Sequence, residues 1–325
     1  MHRTLLAVVA LLAGPLAGCL APNDAPDAAP LVCGTPPRPC DAAHGPVAQG
    51  VLDNATLGAT PVWEVGDWWT YNLVGSTSGP SSMTLVVATV AGTYEVRPTD
   101  NRSALRETLV DLSFVGNIGL DLSGDDAGSR ARFFDWPLED GKSWGMTIDG
   151  RSTRVTAKLN KQVWDLVARE GNQTVVKYTY DPKVKWFTRV RFGADEAFGV
   201  DMNRAGNGFV GDVFSSTATE RYSYTTGGTA AGSFTINPGA SVVAVLWAYQ
   251  GGPNFAASAR LVDPKGGAFE PFPTANCVQA ACVRKDGIAT YNSVPGNWAV
   301  NTDAAGTGSL FLKVYEVVDV RKRVG

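Results

Sequence analysis

The sequence predicts an all-β protein of two successive antiparallel domains, and three observations carry that reading. The first is a glycine-bounded segment that occurs twice. Gly66-Asp67-Trp68-Trp69-Thr70-Tyr71-Asn72-Leu73-Val74-Gly75 is matched in register by Gly141-Lys142-Ser143-Trp144-Gly145-Met146-Thr147-Ile148-Asp149-Gly150. Trp69, Tyr71 and Leu73 correspond to Trp144, Met146 and Ile148, and a bulky residue, Trp63 or Leu138, stands three places before each first glycine. Apolar side chains at every second position between glycines mark a half-buried strand between turns. The second observation is the succession of short Val/Thr/aromatic runs, punctuated by 36 glycines and 19 prolines. The third is the small-residue stretch Thr226-Gly227-Gly228-Thr229-Ala230-Ala231-Gly232, which splits that succession in two.

Shared register places Trp69, Tyr71 and Leu73 on the same side of one sheet as Trp144, Met146 and Ile148. A bare apolar patch of that size invites association, so something must cover it. The cover is either protein, which makes the face core, or a ligand, which makes it a groove. Core is the expectation, because nothing polar in the motif would orient a ligand.

A hydrophobic fraction of 44% with 18% charged residues describes a globular chain, and its 325 residues suffice for roughly two domains. With 28 basic against 31 acidic residues there is no electrostatic case for nucleic acid. Residues 1–18 read as a signal peptide: Arg3 supplies the positive start, Leu5–Leu12 the apolar run, and Leu16-Ala17-Gly18-Cys19 the end. The run is too short to span a bilayer comfortably. Leu-Ala-Gly-Cys resembles the lipobox of prokaryotic lipoproteins, archaeal ones included. The resemblance implies cleavage before Cys19, a lipid on its sulfur, and a membrane as partner at the outer face of the cell. The alternative is ordinary secretion with Cys19 unmodified.

Residues 19–58, rich in Ala, Pro, Asp and Gly, read as a disordered tether. Lipidating one of five cysteines leaves Cys33, Cys40, Cys277 and Cys282 in two close pairs. Four cysteines allow three connectivities. In an oxidising exterior the local bridges Cys33–Cys40 and Cys277–Cys282 are the simplest. Zinc is the competitor, but no histidine lies near Cys277 and Cys282. Asn54-Ala55-Thr56, Asn101-Arg102-Ser103 and Asn172-Gln173-Thr174 are N-glycosylation sequons, relevant where the host glycosylates exported proteins.

The first domain is expected over 59–226. Strand-like runs cover Ser82–Ala91, Thr93–Arg97, Ser152–Leu159, Gln162–Arg169, Thr174–Tyr180, Lys185–Phe192 and Arg221–Thr225, with a polar loop over Asp121–Ser129. Ser103–Leu112 fits a helix by Leu105, Leu109 and Leu112, and a strand by Val110, Leu112 and Phe114. Three motifs follow in order: Gly66-Asp67-Trp68-Trp69-Thr70-Tyr71, Pro137-Leu138-Glu139-Asp140-Gly141-Lys142-Ser143-Trp144, and Tyr180-Asp181-Pro182-Lys183-Val184. In that order they resemble secreted prokaryotic domains of unassigned function that share the curved half-barrel of the Lol-type lipoprotein carriers. The resemblance implies a curved antiparallel half-barrel over 59–226.

A linker is expected at 227–230, a second domain at 231–320 and a solvated tail at 321–325. Ser241–Trp247 is apolar on both faces, like a central strand. Pro295-Gly296-Asn297-Trp298-Ala299-Val300 and Gly306-Thr307-Gly308 resemble the end of small jelly-roll and Ig-like sandwiches appended to secreted proteins. That likeness implies a non-catalytic accessory module.

Chemistry is constrained by the two histidines, His2 and His44, which lie in the signal and the tether. Neither a Ser-His-Asp nor a Cys-His arrangement is available to the folded domains, and catalytic zinc lacks its usual imidazole. No P-loop or dinucleotide loop is present, and no metal or cofactor is expected. Carboxylate catalysis survives, through Asp125-Asp126, Asp135, Glu139-Asp140 or Asp195-Glu196, although adjacent acids on a strand point to opposite faces. The aromatics Trp68, Trp69, Tyr71, Trp144, Tyr178, Tyr180 and Trp186 are the candidates to line a ligand groove. A lipid-anchored, non-catalytic binding or structural module is therefore the expected function. The alternatives are a carrier or sensor of an apolar ligand, and an accessory subunit or carboxylate hydrolase acting on surface polymer.

Overall fold

The computed structural model describes residues 32–33, 38–39, 57–75, 82–110, 114–126, 129–148, 150–196, 198–226, 228–277 and 282–325. Cys19 and Asn54 lie outside them. Two short strands, β1 (Val32–Cys33) and β2 (Arg38–Pro39), pair antiparallel within the stretch expected as tether, with Cys33 opposite Arg38. Contacts divide the chain into two compact units. One runs to Ser215 and includes Val320–Gly325; the other contains Ser216–Asp319.

The first unit is built on β3 (Trp68–Val74), β4 (Ser82–Val90), β5 (Thr93–Pro98), α1 (Asn101–Val110) and β6 (Gly116–Gly119). A small hairpin, β7 (Gly124–Asp126) and β8 (Ser129–Ala131), follows. Then come β9 (Ser143–Ile148), β10 (Arg151–Asn160), β11 (Val163–Glu170), β12 (Gln173–Asp181), β13 (Trp186–Phe192) and β14 (Phe198–Gly206). Ten of these strands form one antiparallel sheet in the order β6-β5-β4-β3-β14-β13-β12-β11-β10-β9. It consists of two meanders, β3 to β6 and β9 to β14, joined where β14 pairs with β3. The sheet stays open at β6 and β9, and it bends at bulges at Val87/Thr89, Ala168/Arg169, Thr179/Tyr180 and Met202/Arg204. This is the curved half-barrel that the motifs implied.

Alternation along the strands sorts the side chains onto two faces. Trp69 and Tyr71 of β3, Leu85 and Val87 of β4, Trp144, Met146 and Ile148 of β9 and Tyr178 and Tyr180 of β12 share one core. Leu73 packs against the same core, partly buried. The shared-face expectation for the two copies therefore holds. The ambiguous stretch after Asp100 is a helix. Asp100 caps it, its carboxylate accepting the Ser103 amide and hydroxyl at 2.8 Å each. Ala104, Leu105 and Leu109 are its buried apolar residues among those described.

The second unit holds most of β15 (Gly211–Thr226) and β23 (Gly308–Val324). Between them lie β16 (Gly228–Ile236), β17 (Val242–Gly251), β18 (Ala256–Val262), β19 (Ala268–Phe269), β20 (Ala275–Asn276), β21 (Cys282–Asn292) and β22 (Gly296–Ala305). One sheet runs β15-β23-β17-β21 and the other β16-β22-β18-β19, with β20 on β18, giving a small β-sandwich. Val243, Val245 and Trp247 of β17 share its core with Phe255, Leu261 and Trp298. The Trp298 indole donates to the Val294 carbonyl at 2.8 Å.

Three boundaries differ from expectation. Residues 216–226, expected to close the first domain, belong to the second unit, because β15 pairs with β23 in the sheet β15-β23-β17-β21. Residues 228–230, expected as linker, open strand β16, because Gly228 to Ile236 pairs along its length with β22. Residues 321–324, expected as a solvated tail, continue β23. Lys322 Nζ meets Glu95 Oε2 at 2.8 Å and Thr89 Oγ1 at 2.5 Å, and Val324 is buried with Trp68, Val86 and Phe209. An amphipathic strand end that finds both an apolar patch and a carboxylate does not remain solvated. Among the described residues, no helix is long and apolar enough to cross a membrane.

Candidate functional site

The candidate groove grows out of the repeated turn. In the first copy the Gly66 amide donates to Val87 O and the Val87 amide to Asp67 O, at 2.9 and 2.8 Å. In the second, the Gly141 amide donates to Ala157 O and the Ala157 amide to Lys142 O, at 3.0 and 2.9 Å. Both glycines take positive φ, +91° and +78°, where a Cβ is strained. The turn thus delivers Trp69 and Trp144 onto the concave face in the same way.

There the aromatic side chains meet protein. Three donors in and just before the first motif reach over β14 to the turn before β13 and to β13 itself: Trp63 Nε1 to Lys185 O at 2.9 Å, Trp69 Nε1 to Val184 O at 2.7 Å, and Tyr71 OH to Phe187 O at 2.9 Å. Three others hold the segment that follows β6. Trp136 Nε1 donates to Asp121 O at 2.8 Å, Trp144 Nε1 to Arg132 O at 2.9 Å, and Tyr178 OH to Phe133 O at 2.6 Å. An amphipathic aromatic buries its body and satisfies its one polar atom on a backbone carbonyl, so each doubles as filler and clamp.

All seven candidate groove residues are buried, from 0% exposed for Trp69, Tyr180 and Trp186 to 6% for Trp144. Six of them lie in the concave core; Trp68 lies on the other face, under Phe209, Val213 and Val324. The concave face is therefore filled core, covered by Trp63, Phe114, Phe133, Phe134 and Leu138. Those covering residues were missed as a set. The run Phe133-Phe134-Asp135-Trp136 was the signal, because such aromatic density outside a strand has to pack somewhere. Burial raises the Tyr71 and Tyr178 hydroxyls well above the ordinary phenol range, and Tyr180 is raised by burial and then by Asp181. None of the three is poised as an acid or base near neutrality.

Among the described residues a small cleft, about 10 Å³ in volume, is lined by Phe114, Phe133, Ile148, Tyr178, Phe187 and Phe192 among others. Its walls are wholly aromatic and aliphatic, and it falls short of the roughly 300–1,000 Å³ of ligand pockets.

Three of the candidate acids are engaged by cations or by a backbone amide. Asp135 pairs with Lys142 at 3.2 Å and with Arg132, Asp140 accepts the Leu159 amide at 2.8 Å, and Glu196 pairs with Lys177 and with Arg189 at 3.7 Å. The side chains of Asp125 and Asp126 lie outside the described residues. Asp67, in the first motif, is 2% exposed; its carboxylate accepts the Glu64 amide at 3.0 Å and faces Lys185 Nζ at 3.7 Å. Burial raises its pKa, against the amide and lysine that lower it. Among the described residues no cluster of metal-ligating side chains is present. Cys277 is 3% exposed and disulfide-bonded. The side chains of Cys33, Cys40 and Cys282 lie outside the described residues.

No family model matches the chain, and no curated protein matches it. Among solved structures it is similar to an exo-β-1,3-galactanase from Phanerochaete chrysosporium with galactose. The identity is 6% and the TM-score 0.18, over 75% of this chain and 68% of that one. The structure of infectious bursal disease virus Gt strain is similar at 11% identity and a TM-score of 0.15, over 85% and 76% of the two chains. Overlaps at these scores carry no argument about fold or activity.

Proposed function

We propose that this protein is a lipid-anchored surface module, held at the outer face of the cell membrane through Cys19, that acts without catalysis as a binding or structural element. One observation carries the reading against a lipid carrier. All seven aromatics that would line a groove are buried in protein, and four of them, Trp69, Tyr71, Trp144 and Tyr178, give their polar hydrogen to backbone carbonyls rather than to an open face. A carrier keeps such a face open. Against a hydrolase stand the commitment of Asp135, Asp140 and Glu196 to cations and amides, and the confinement of both histidines to residues 2 and 44.

The anchor rests on Leu16-Ala17-Gly18-Cys19 following an apolar run, and the local bridges Cys33–Cys40 and Cys277–Cys282 belong to the same extracytoplasmic reading. The test is mass spectrometry of the mature protein and of its organic extract. The expected result is a lipid on Cys19 and no stoichiometric small molecule; the Cys19→Ser protein leaves the membrane fraction. A stoichiometric apolar molecule in the extract would replace this reading with the carrier. Peptide mapping that joined Cys277 to Cys33 or Cys40 would overturn the local bridges.

A further inference from the structure

Two described sequons share a pattern but not an environment. Asn101 is the first residue of α1, and the hydroxyl that completes its sequon belongs to Ser103. Ser103 is 0% exposed, and its hydroxyl donates to Asp100 Oδ2 at 2.8 Å within the helix cap. Three residues that would have to present themselves to an enzyme are here wound into a helix start. Asn172 is placed in the opposite way. The last rung of the β11–β12 hairpin pairs Glu170 with Gln173, so Gly171 and Asn172 alone form the loop. Gly171 takes φ +55°, and Gly171, Asn172 and Gln173 are all exposed. Thr174, which completes the sequon, is half-exposed on the first rungs of β12. A bulge at Ala168/Arg169 loosens the ladder just below the tip. A hairpin tip with exposed backbone frays at small cost, so it can lift Asn172 and Thr174 together into an extended binding cleft.

We propose that Asn172 is an N-glycosylation site of the folded protein and that Asn101 is not, a proposal that rests on the extracytoplasmic placement above. The donor is an oligosaccharide linked to a lipid pyrophosphate. The Asn172 amide nitrogen attacks the anomeric carbon of the sugar and forms the C–N bond. The bond from that carbon to the pyrophosphate oxygen breaks, the lipid pyrophosphate leaves with the electron pair, and the amide gives up one proton. A hydrophilic glycan at this tip extends away from the sheet without displacing a buried group.

The experiment is glycopeptide mapping of the full chain isolated from the membrane of its own cells, with the Cys19 peptide read in the same digest. The expected result is a lipid on Cys19, a glycan on the peptide containing Asn172, and an unmodified peptide containing Asn101. Asn172→Gln removes that glycan and Asn101→Gln leaves it. Lipidated protein with a bare Asn172, or with a glycan on Asn101, overturns the proposal while leaving the surface placement intact. Protein lacking both the lipid and the glycan overturns the two together.

Discussion

The two copies of the turn-and-strand motif differ in what surrounds them. Strand β3 is central, with β14 on one side and β4 on the other, whereas β9 is a sheet edge with β10 as its one partner strand. The same backbone bonds close both turns, yet the residues that follow the glycine have diverged with their surroundings. Asp67 is almost wholly buried and faces Lys185; its counterpart Lys142 faces Asp135 and donates to the carbonyls of Asp135 and Pro137 at 2.7 and 2.8 Å. Trp68 is covered on the outer face, while its counterpart Ser143 is half-exposed and accepts from Arg154. The outer face of β3 is covered by Phe209, Val213 and Val324, whereas Ser143 on β9 stays half-exposed, so only the first copy carries a large apolar side chain there.

Deleting the indoles tests that contrast most strongly. Trp69→Ala removes a fully buried indole and strips Val184 O of its donor, and is expected to cost about 3–5 kcal/mol in urea unfolding. Trp144→Ala, at the edge, should sit at the lower end, about 3 kcal/mol. Equal losses would show that edge and centre do not differ. Wild-type stability in both, with loss of a bound lipid, would instead revive the groove.

The pair Asp67–Lys185 comes next. Lys185→Met leaves a buried carboxylate without its cation and should cost about 3 kcal/mol at neutral pH. The pH dependence follows from the burial that raises the Asp67 pKa above 3.8. The folded state then holds the proton more tightly than the unfolded one. Asp67's favourable contribution is full below the unfolded pKa and is lost as pH rises through the folded value. Asp67→Asn should flatten the stability profile as pH rises above 3.8; an unchanged slope there would contradict it.

Placing a methyl group on each glycine separates local strain from tertiary contact. Both sites carry the left-handed penalty of about 1–2 kcal/mol. A Cβ at Gly66 would also meet the Phe209 amide nitrogen at 3.1 Å, while one at Gly141 meets nothing within 4 Å. Gly66→Ala should therefore unfold at lower urea than Gly141→Ala.

The smallest effect concerns the outer cover of the first copy. Burial would raise Glu95, but hydrogen bonds from Lys322, Thr89 and Arg97 outweigh it and lower its pKa to about 2. Its contribution is present above the unfolded carboxylate range and is lost as pH falls through about 2. The stability difference between wild type and Glu95→Gln should shrink over that acid window; a constant difference would detach Glu95 from the Lys322 contact.

Period-two alternation in Trp69-Tyr71-Leu73 and Trp144-Met146-Ile148 determined the strands, their shared face and the all-β class, because alternation is a property of the local backbone. The paired glycines determined the turns for the same reason, since positive φ selects residues one at a time. Trp68 shows where local pattern stops. Named among the groove candidates, it lies on the face opposite Trp69, and Val324, which covers it, lies 256 residues further on. Only the tertiary structure decided that Phe133 and Phe134 fill the concave face, that Lys185 meets Asp67, and that residues 321–324 dock rather than dangle. Each is a pairing between distant segments, and a linear pattern records which side chains seek burial or charge without recording which partner the folded chain brings to them.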